Sequence, residues 1–540
     1  MKKNLVIIFL FLTTVGLCQD IQQNDFFLAQ TYFRQGEYEK SAQLFEKLYN
    51  KSPFNTTYLQ KLITCYQETN NFLKAENLLK TKLSKNKSQI YLYVLLGYNY
   101  ERQELKEIAK NNYEKVINSL DNNAAYAGII GRLFKDYNLL DYAITTYKKG
   151  MEKNPKSNYN FQIAQIYGEK GDFKQMFEYY INLIDKNVSY LNLIQRYAGR
   201  YITDDPENET NVLFRKTLLR KAASNPKDEW NILLSWLFTQ QKDYSKALTQ
   251  EKALYQRKPE KLTEIFKLGK IAFDDKNFEA AIECFNFIDQ KTTLREEKIE
   301  ANLYLAKIKV TNKEEDVELF FRMLFKNFGE NSETIDLQVA YADYLTFYKN
   351  NPDKATIILE KALSFAKNKF EKARIKLKLG DVFVFRGKYN TALIYFSQIQ
   401  TKLKNHELAQ QARFKVAQTS YYKGDFTWAK AQLKVLKGST TQLIANDAVD
   451  LFLKITDNEP VDSIPSGLKQ LAKAELLFYQ NKNDDALQEI ENLFSSKDIL
   501  LNGLVPGEVI YDDVLYLQSK LYLKQEKYIE IFSRIFFYWL

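Results

Sequence analysis

Triads, zinc sites and proton shuttles are built from histidine and cysteine, and this chain has one histidine and three cysteines in 540 residues. With His406 alone, histidine-based triads and His/Cys zinc sites lack their material. His406 lies in Lys402-Leu403-Lys404-Asn405-His406-Glu407, a polar helix start where a solvated side chain is expected rather than a ligand or base. No HExxH, GxSxG, GxxxxGK[ST], CxxC or Asp/Asn calcium loop occurs. The 67 acids could in principle pair across a cleft as glycosidase carboxylates do. On helical surfaces, however, acids serve solubility and i,i+4 pairing. No catalytic activity, cofactor or metal is expected.

The net charge is +10, from 77 Lys and Arg against 67 Asp and Glu. Only 14 of the basic residues are arginine, and these are scattered. Nucleic-acid sites cluster Arg with Lys on one face, so no nucleic-acid partner is expected. The abundance of Lys, Asn, Ile, Tyr and Phe is what AT-rich codons encode, which accounts for the charge by mutational bias. With 45% hydrophobic residues, 9 Pro and 18 Gly the chain is globular, neither disordered nor collagen-like.

Residues 1–18 read apart from the rest. Lys2 and Lys3 precede the apolar run Leu5 to Leu12, followed by Gly16-Leu17-Cys18, the layout of a secretory signal peptide. Cleavage after Cys18 leaves Gln19 as the mature N-terminus. A retained anchor is the weaker reading because the run is shorter than the ~20 residues a span needs. A lipoprotein is a third, disfavoured by Leu17 in the lipidation box. Export places Cys65 and Cys284 in an oxidising space, but they sit in distant repeats and are expected as two buried thiols not joined to each other.

Self-similarity supplies the elements. Leu28-Ala29, Tyr32, Gly36, Tyr38, Ser41, Phe45, Leu48 recurs as Leu62-Ile63, Tyr66, Asn70, Phe72, Ala75, Leu79, and again from Leu96-Gly97, Ile130-Gly131 and Ile163-Ala164, at spacings of 33 or 34 residues. Each unit reads as two amphipathic helices, A and B, joined by a short turn. A small residue at the eighth position of helix A lets helix B pack close, and Gly36 and Gly171 end helix A in the turn. Asn154-Pro155 stops a helix B. One pair cannot bury its faces, so the pairs must stack.

This pattern resembles the tetratricopeptide repeat family, and the match lies in its spacing more than in any one residue. The resemblance implies an all-α, right-handed superhelical solenoid of stacked antiparallel helix pairs. Clear repeats are expected over 19–187, 228–291 and 366–455, an irregular helix pair over 188–227 and degenerate repeats over 292–365. A linker is expected at 456–467, around Asn458-Glu459-Pro460 and Ile464-Pro465-Ser466-Gly467, with further helical repeats over 468–540. The last of these runs into Ile529 to Leu540, nearly all apolar. It reads as an incomplete repeat, the preferred account, or as a membrane foot or docking peptide.

In the family, helix A lines the concave groove that holds a partner. Mapped onto this chain, its groove positions give Tyr91, Val94, Tyr98, Glu101 and Arg102, then Arg132, Lys135 and Asp136, then Phe161 and Gln165, and farther on Trp236, Phe266, Lys270 and Phe273. Aromatics beside cations make anchors for a protein partner. A one-residue slip in register would turn the same stripe into core. The terminal-carboxylate clamp of chaperone-binding members is not supported, since Phe26, Gln30 and Lys61 stand where it would be expected. The resemblance and the leader together imply an exported, non-catalytic protein-binding scaffold in the periplasm or outer envelope of a Gram-negative bacterium. The alternative is an envelope-assembly or polysaccharide-export component touching the membrane through its C-terminal tail.

Overall fold

The structure, a computed structural model, describes residues 24–86, 88–259, 262–438, 442–459, 467–495 and 509–525. The expected leader, the middle of the expected linker and the apolar C-terminal tail lie outside the described residues. Those described form twenty-eight α-helices with no strand, in two compact units divided in the chain between Arg257 and Lys258. None of these helices is long and apolar enough to cross a membrane.

The first unit holds α1 (24–34), α2 (Tyr38–Lys51), α3 (Thr56–Glu68), α4 (Phe72–Lys85), α5 (Leu92–Glu101), α6 (Lys106–Asn118), α7 (Ala127–Asp136), α8 (Leu140–Lys153), α9 (Asn160–Glu169), α10 (Phe173–Lys186), α11 (Leu191–Ala198), α12 (Glu209–Ser224), α13 (Asp228–Gln240) and α14 (Tyr244–Arg257). The second holds α15 (Thr263–Asp274), α16 (Phe278–Lys291), α17 (Arg295–Thr311), α18 (Val317–Phe328), α19 (Ile335–Phe347), α20 (Pro352–Phe365), α21 (Lys369–Phe385), α22 (Tyr389–Lys402), α23 (Glu407–Tyr422), α24 (Phe426–Leu436), α25 (Gln442–Asp457), α26 (Leu468–Tyr479), α27 (Asn483–Ser495) and α28 (Val509–Lys524). Consecutive helices pair antiparallel, and the pairs stack. Helix α25 continues over Thr456 and Asp457, residues that the sequence assigns to a linker.

The turn between helices A and B sets the period. Each closes with one residue in the left-handed region, and the residue after it donates its N–H to a carbonyl five back, except at Asn350, where Asn351 N–H bonds Leu345 O six back at 2.7 Å. Asn71 N–H bonds Tyr66 O at 2.7 Å, Leu139 N–H bonds Phe134 O at 2.8 Å and Lys388 N–H bonds Phe383 O at 2.8 Å, the Schellman arrangement that satisfies orphan carbonyls. The left-handed residues are Gly36, Asn70, Glu104 and Asn138 at intervals of 34, then Gly171 after 33. In the second unit Lys276, Lys313, Asn350, Gly387 and Gly424 follow at intervals of 37. The stretch read as degenerate is thus a regular array with a longer period. The extra residues enlarge helix A: α17 and α21 have 17 residues each where α5, α7 and α9 have 10.

Glu104 occupies a left-handed position with φ +63°, where any side chain is strained and glycine is not. Glu104→Gly is therefore expected to raise stability by about 1 kcal/mol. Gly387→Ala, at φ +72°, should lower it comparably. Urea unfolding midpoints of the two variants must move in opposite directions.

Inside a pair, the small residue of helix A faces an aromatic of helix B sixteen residues later. A Cβ on Gly97 would lie 2.3 Å from the Tyr113 ring, on Gly131 2.4 Å from Tyr147 and on Gly380 2.2 Å from Phe396. Real contacts never come so near, so only glycine allows these rings to sit on the helix A backbone. Cys65 and Cys284 are buried thiols, each in the core of its own unit. His406 is the N-cap of α23, its Nδ1 accepting from Leu408 N–H at 3.1 Å and its ring 4.8 Å from Phe370.

At the end of the second unit the nearest-neighbour order of a solenoid is broken. The turn after α26 reaches back to the C-terminal ends of α19 and α21. The Tyr479 ring meets Phe347 edge-on at 5.4 Å, and its hydroxyl donates to Asp381 O at 3.3 Å. Gln480 Nε2 donates to Phe385 O at 2.9 Å, and Asn481 Nδ2 donates to Phe347 O. These carbonyls are among those a helix leaves unsatisfied at its end. Lys524 of α28 in turn donates to Asn481 Oδ1.

Candidate functional site

In the first unit α3, α5, α7 and α9 run side by side as the helices A of successive pairs. Tyr98 packs on Tyr137 with ring centroids 4.5 Å apart, and the Tyr137 hydroxyl and Thr64 Oγ1 are 3.1 Å apart. Arg102 bridges Glu68 at 2.8 Å, and Lys135 bridges Glu169 at 2.8 Å. The Lys61 amine lies over the Phe33 ring at 3.7 Å, and burial lowers its pKa. Burial pushes the Asp136 carboxyl up and the Tyr137 hydroxyl up to about 12. Phe161 is half-buried against Tyr197, edge-on at 4.9 Å, and Trp236 against Phe214 at 6.4 Å. Gln165 and Glu101 are half-buried and Arg132 is exposed; Glu101 accepts from the Tyr113 hydroxyl at 2.6 Å.

Three residues of the expected groove are packing residues instead. Tyr91 and Phe266 are each 8% exposed and Val94 is fully buried. Tyr91 precedes α5 as its cap, and Phe266 packs against Phe285 at 6.2 Å. The register slip that would turn the stripe inward applies to these three.

A concavity lies in the second unit. A groove of about 880 Å³ runs across α15, α17, α19 and α21, all helices A. Its apolar floor includes Phe273, Leu303, Tyr304, Phe347 and Tyr348. Phe273 and Tyr304 meet edge-on at 5.2 Å, so of the residues picked from sequence Phe273 lines this groove. Lys270 stands at its margin, bonded to Glu300 at 2.5 Å, and that hydrogen bond raises its pKa.

The walls are charged and mostly cross-paired. Lys378 meets Asp343 at 2.8 Å, Arg374 meets Asp336 at 3.7 Å and Arg295 meets Glu333 at 2.9 Å. Burial raises the Asp343 carboxyl, opposed by Lys378. The Lys378 amine, although burial disfavours its charge, is held above its usual value by Asp343 and Asp381. Lys307 differs. Its amine sits 5.0 Å from the Tyr304 ring centroid, makes no ion pair among the described residues, and is lowered by burial despite Asp336 nearby.

Among the described residues no three His, Cys, Asp or Glu side chains are grouped to hold a metal ion. What the groove offers is apolar area with one cation above it that makes no ion pair among the described residues. Tyr304, Lys307 and Tyr348 were not picked from sequence. The signal that would have found them is the 37-residue interval, obscured because Lys313 and Asn350, not glycines, take the left-handed positions.

The sequence profile described as tetratricopeptide repeat matches residues 157–185, the segment of α9 and α10. No curated protein matches the chain. Among solved structures it is similar to yeast Tom70, with 14% identity and a TM-score of 0.34, covering 84% of this chain and 99% of that one. It is also similar to the APC/C hetero-tetramer Cut9-Hcn1, with 12% identity, a TM-score of 0.29 and coverage of 80% and 96%. Naa15/Naa10 bound to HypK-THB gives 11% identity, 0.29, and 96% and 80%.

Proposed function

We propose that this tetratricopeptide-repeat protein is a non-catalytic scaffold of the bacterial cell envelope, exported by its leader, that holds a segment of a protein partner in the groove of α15, α17, α19 and α21. The observation that carries the reading is Lys307. The groove's other cations are paired to carboxylates, whereas Lys307 stands unpaired over an aromatic floor. A partner segment with apolar side chains and a carboxylate would fill that floor and neutralise the amine, the mix of anchor and charge from which interface hot spots are built. Export rests on Lys2, Lys3 and the run Leu5 to Leu12.

The test is a crosslinking pull-down from native envelope fractions with the chain from Gln19 as bait. Lys307→Met is expected to cut capture of the enriched partner by about tenfold or more. It should melt no lower than the wild type, since burial already disfavours the charge at that position. Capture should also fall with rising pH before the ordinary lysine range is reached, because Lys307 loses its proton early. Capture unchanged in Lys307→Met sinks the groove assignment, and a partner found only in cytoplasmic fractions sinks the envelope assignment.

A further inference from the structure

The basic charge of this chain is concentrated. Residues 361–437 hold 17 Lys and Arg against 4 Asp and Glu, a net +13 in a chain whose total is +10. Fourteen of the 17 are lysine. An even mutational bias toward lysine does not account for a remainder that is slightly acidic.

Several of these cations hold neighbouring repeats together. Lys361 bridges Glu330, Arg386 bridges Asp353, Lys415 bridges Asp381 and Lys430 bridges Glu459. Another set does not. Lys367, Lys369, Lys372, Lys376, Lys402 and Lys404 make no ion pair among the described residues. They gather where the first turns of α21, the end of α22 and the loop before α23 meet. Lys376 is half-buried and its amine donates to Gln398 Oε1 at 2.7 Å. Burial, and after it Lys402 and Lys372, lowers its pKa, with no carboxylate opposing.

Beside these lysines α22 forms a shallow cavity of about 440 Å³ lined by Leu393, Ile394, Ser397, Gln398, Thr401 and Lys402. Ile394 is 58% exposed, and Phe370, on the first turn of α21, is 38% exposed. The patch thus pairs uncompensated ammonium groups with aliphatic and aromatic side chains open to solvent.

We infer that this patch docks the protein on an anionic lipid surface, with Lys372, Lys376 and Lys402 on the phosphates and Ile394 entering the headgroup layer. Lysine, a compact point charge on a flexible stem, suits a diffuse layer of phosphates, whereas bidentate readers of nucleic acid or carboxylate favour arginine. A polyanion in water would leave the exposed Ile394 without a role, and an interface gives it one. The site is separate from the groove, so it stands or falls independently of the proposed partner.

The test is co-sedimentation of the full chain with vesicles of phosphatidylcholine alone and of phosphatidylcholine with phosphatidylglycerol, at low and high salt. Binding is expected only to the anionic vesicles and is expected to be lost at high salt. The triple variant Lys372→Gln, Lys376→Gln, Lys402→Gln should lower the partition coefficient roughly a hundredfold, at about fivefold per lysine. Ile394→Ser should weaken binding at low salt and leave the salt dependence intact. Lys372, Ile394 and Lys402 are exposed and Lys376 is half-buried, and far-UV circular dichroism confirms that the variants fold. Equal binding to neutral vesicles, or binding retained by the triple variant, overturns the proposal and assigns the contact to apolar segments elsewhere in the chain. A DNA duplex or polyglutamate bound through the same three lysines, with no vesicle binding, overturns it in favour of a soluble polyanion.

Discussion

Gly380→Leu is expected to unfold the centre of the second unit. A Cβ at this position would already lie 2.2 Å from the Phe396 ring, and Phe396 is completely buried, so the ring has nowhere to go without displacing α22. Overpacking of this kind costs about 1 to 3 kcal/mol where the core can give, and more where it cannot. Here both the backbone of α21 and the buried ring resist, so the upper end applies, about 3 kcal/mol. The cause is a collision between two identified groups, so a second substitution should relieve it. Phe396→Ala in the Gly380→Leu background is expected to recover part of the loss, although Phe396→Ala alone destabilises by about 3 to 5 kcal/mol. A thermal denaturation series on the four proteins gives the coupling energy. Additive losses would show that the ring does not limit this position.

Tyr479→Ala is expected to release the pair α26–α27 from the rest of its unit. The Tyr479 ring lies against Phe347 and 6.0 Å from Tyr422, and burial carries its hydroxyl well above the usual tyrosine range. Truncating an aromatic in such a setting costs about 3 kcal/mol or more. It also removes the wedge that keeps Gln480 and Asn481 on the carbonyls of Phe385 and Phe347. Hydrogen exchange by mass spectrometry reads this directly. Peptides from 468–495 should lose protection together, with the C-terminal ends of α19 and α21, while α15 and α16 keep theirs. Protection unchanged over 468–495 would mean that α26 is held without the Tyr479 ring, by its remaining contacts with α23, α25, α27 and α28.

The sequence showed the repeat because its units carry a size rule that survives substitution: a small residue in helix A and a large one sixteen places on, as in Gly131 and Tyr147. It hid the change of period because the turn requires a backbone conformation rather than a residue type. Where glycine takes the left-handed position, at Gly36, Gly171, Gly387 and Gly424, the turn could be read. Where Lys313 or Asn350 takes it, the same turn looks like ordinary polar surface, and the repeats there appear degenerate. The candidate site suffered accordingly. Phe273 was found from a unit of clear spacing, whereas Tyr304 and Lys307 on α17 fell in the stretch without visible timing. Phe266 was misassigned because an aromatic stripe at helical spacing is the same for a groove and a core, and only its contact with Phe285 separates them. The lysine patch was present in the residue order, but an average over the whole chain conceals a segment of opposite sign to the rest.

Repeat arrays change length over generations by gaining or losing whole units, and such an event is tolerated when the new junction joins like to like. From Lys276 to Gly424 each interval begins and ends in the same backbone conformation, so a duplication in register would leave every turn intact. The contacts of Gln480 and Asn481 remove that freedom downstream of α19. They grip carbonyls on two adjacent helices A, Phe347 and Phe385, and a unit lost between these would take one acceptor away and move the other. The segment from α19 to α27 is therefore expected to keep a fixed copy number, while units nearer α15 can be added or dropped, and length variation among descendants of this gene should collect there.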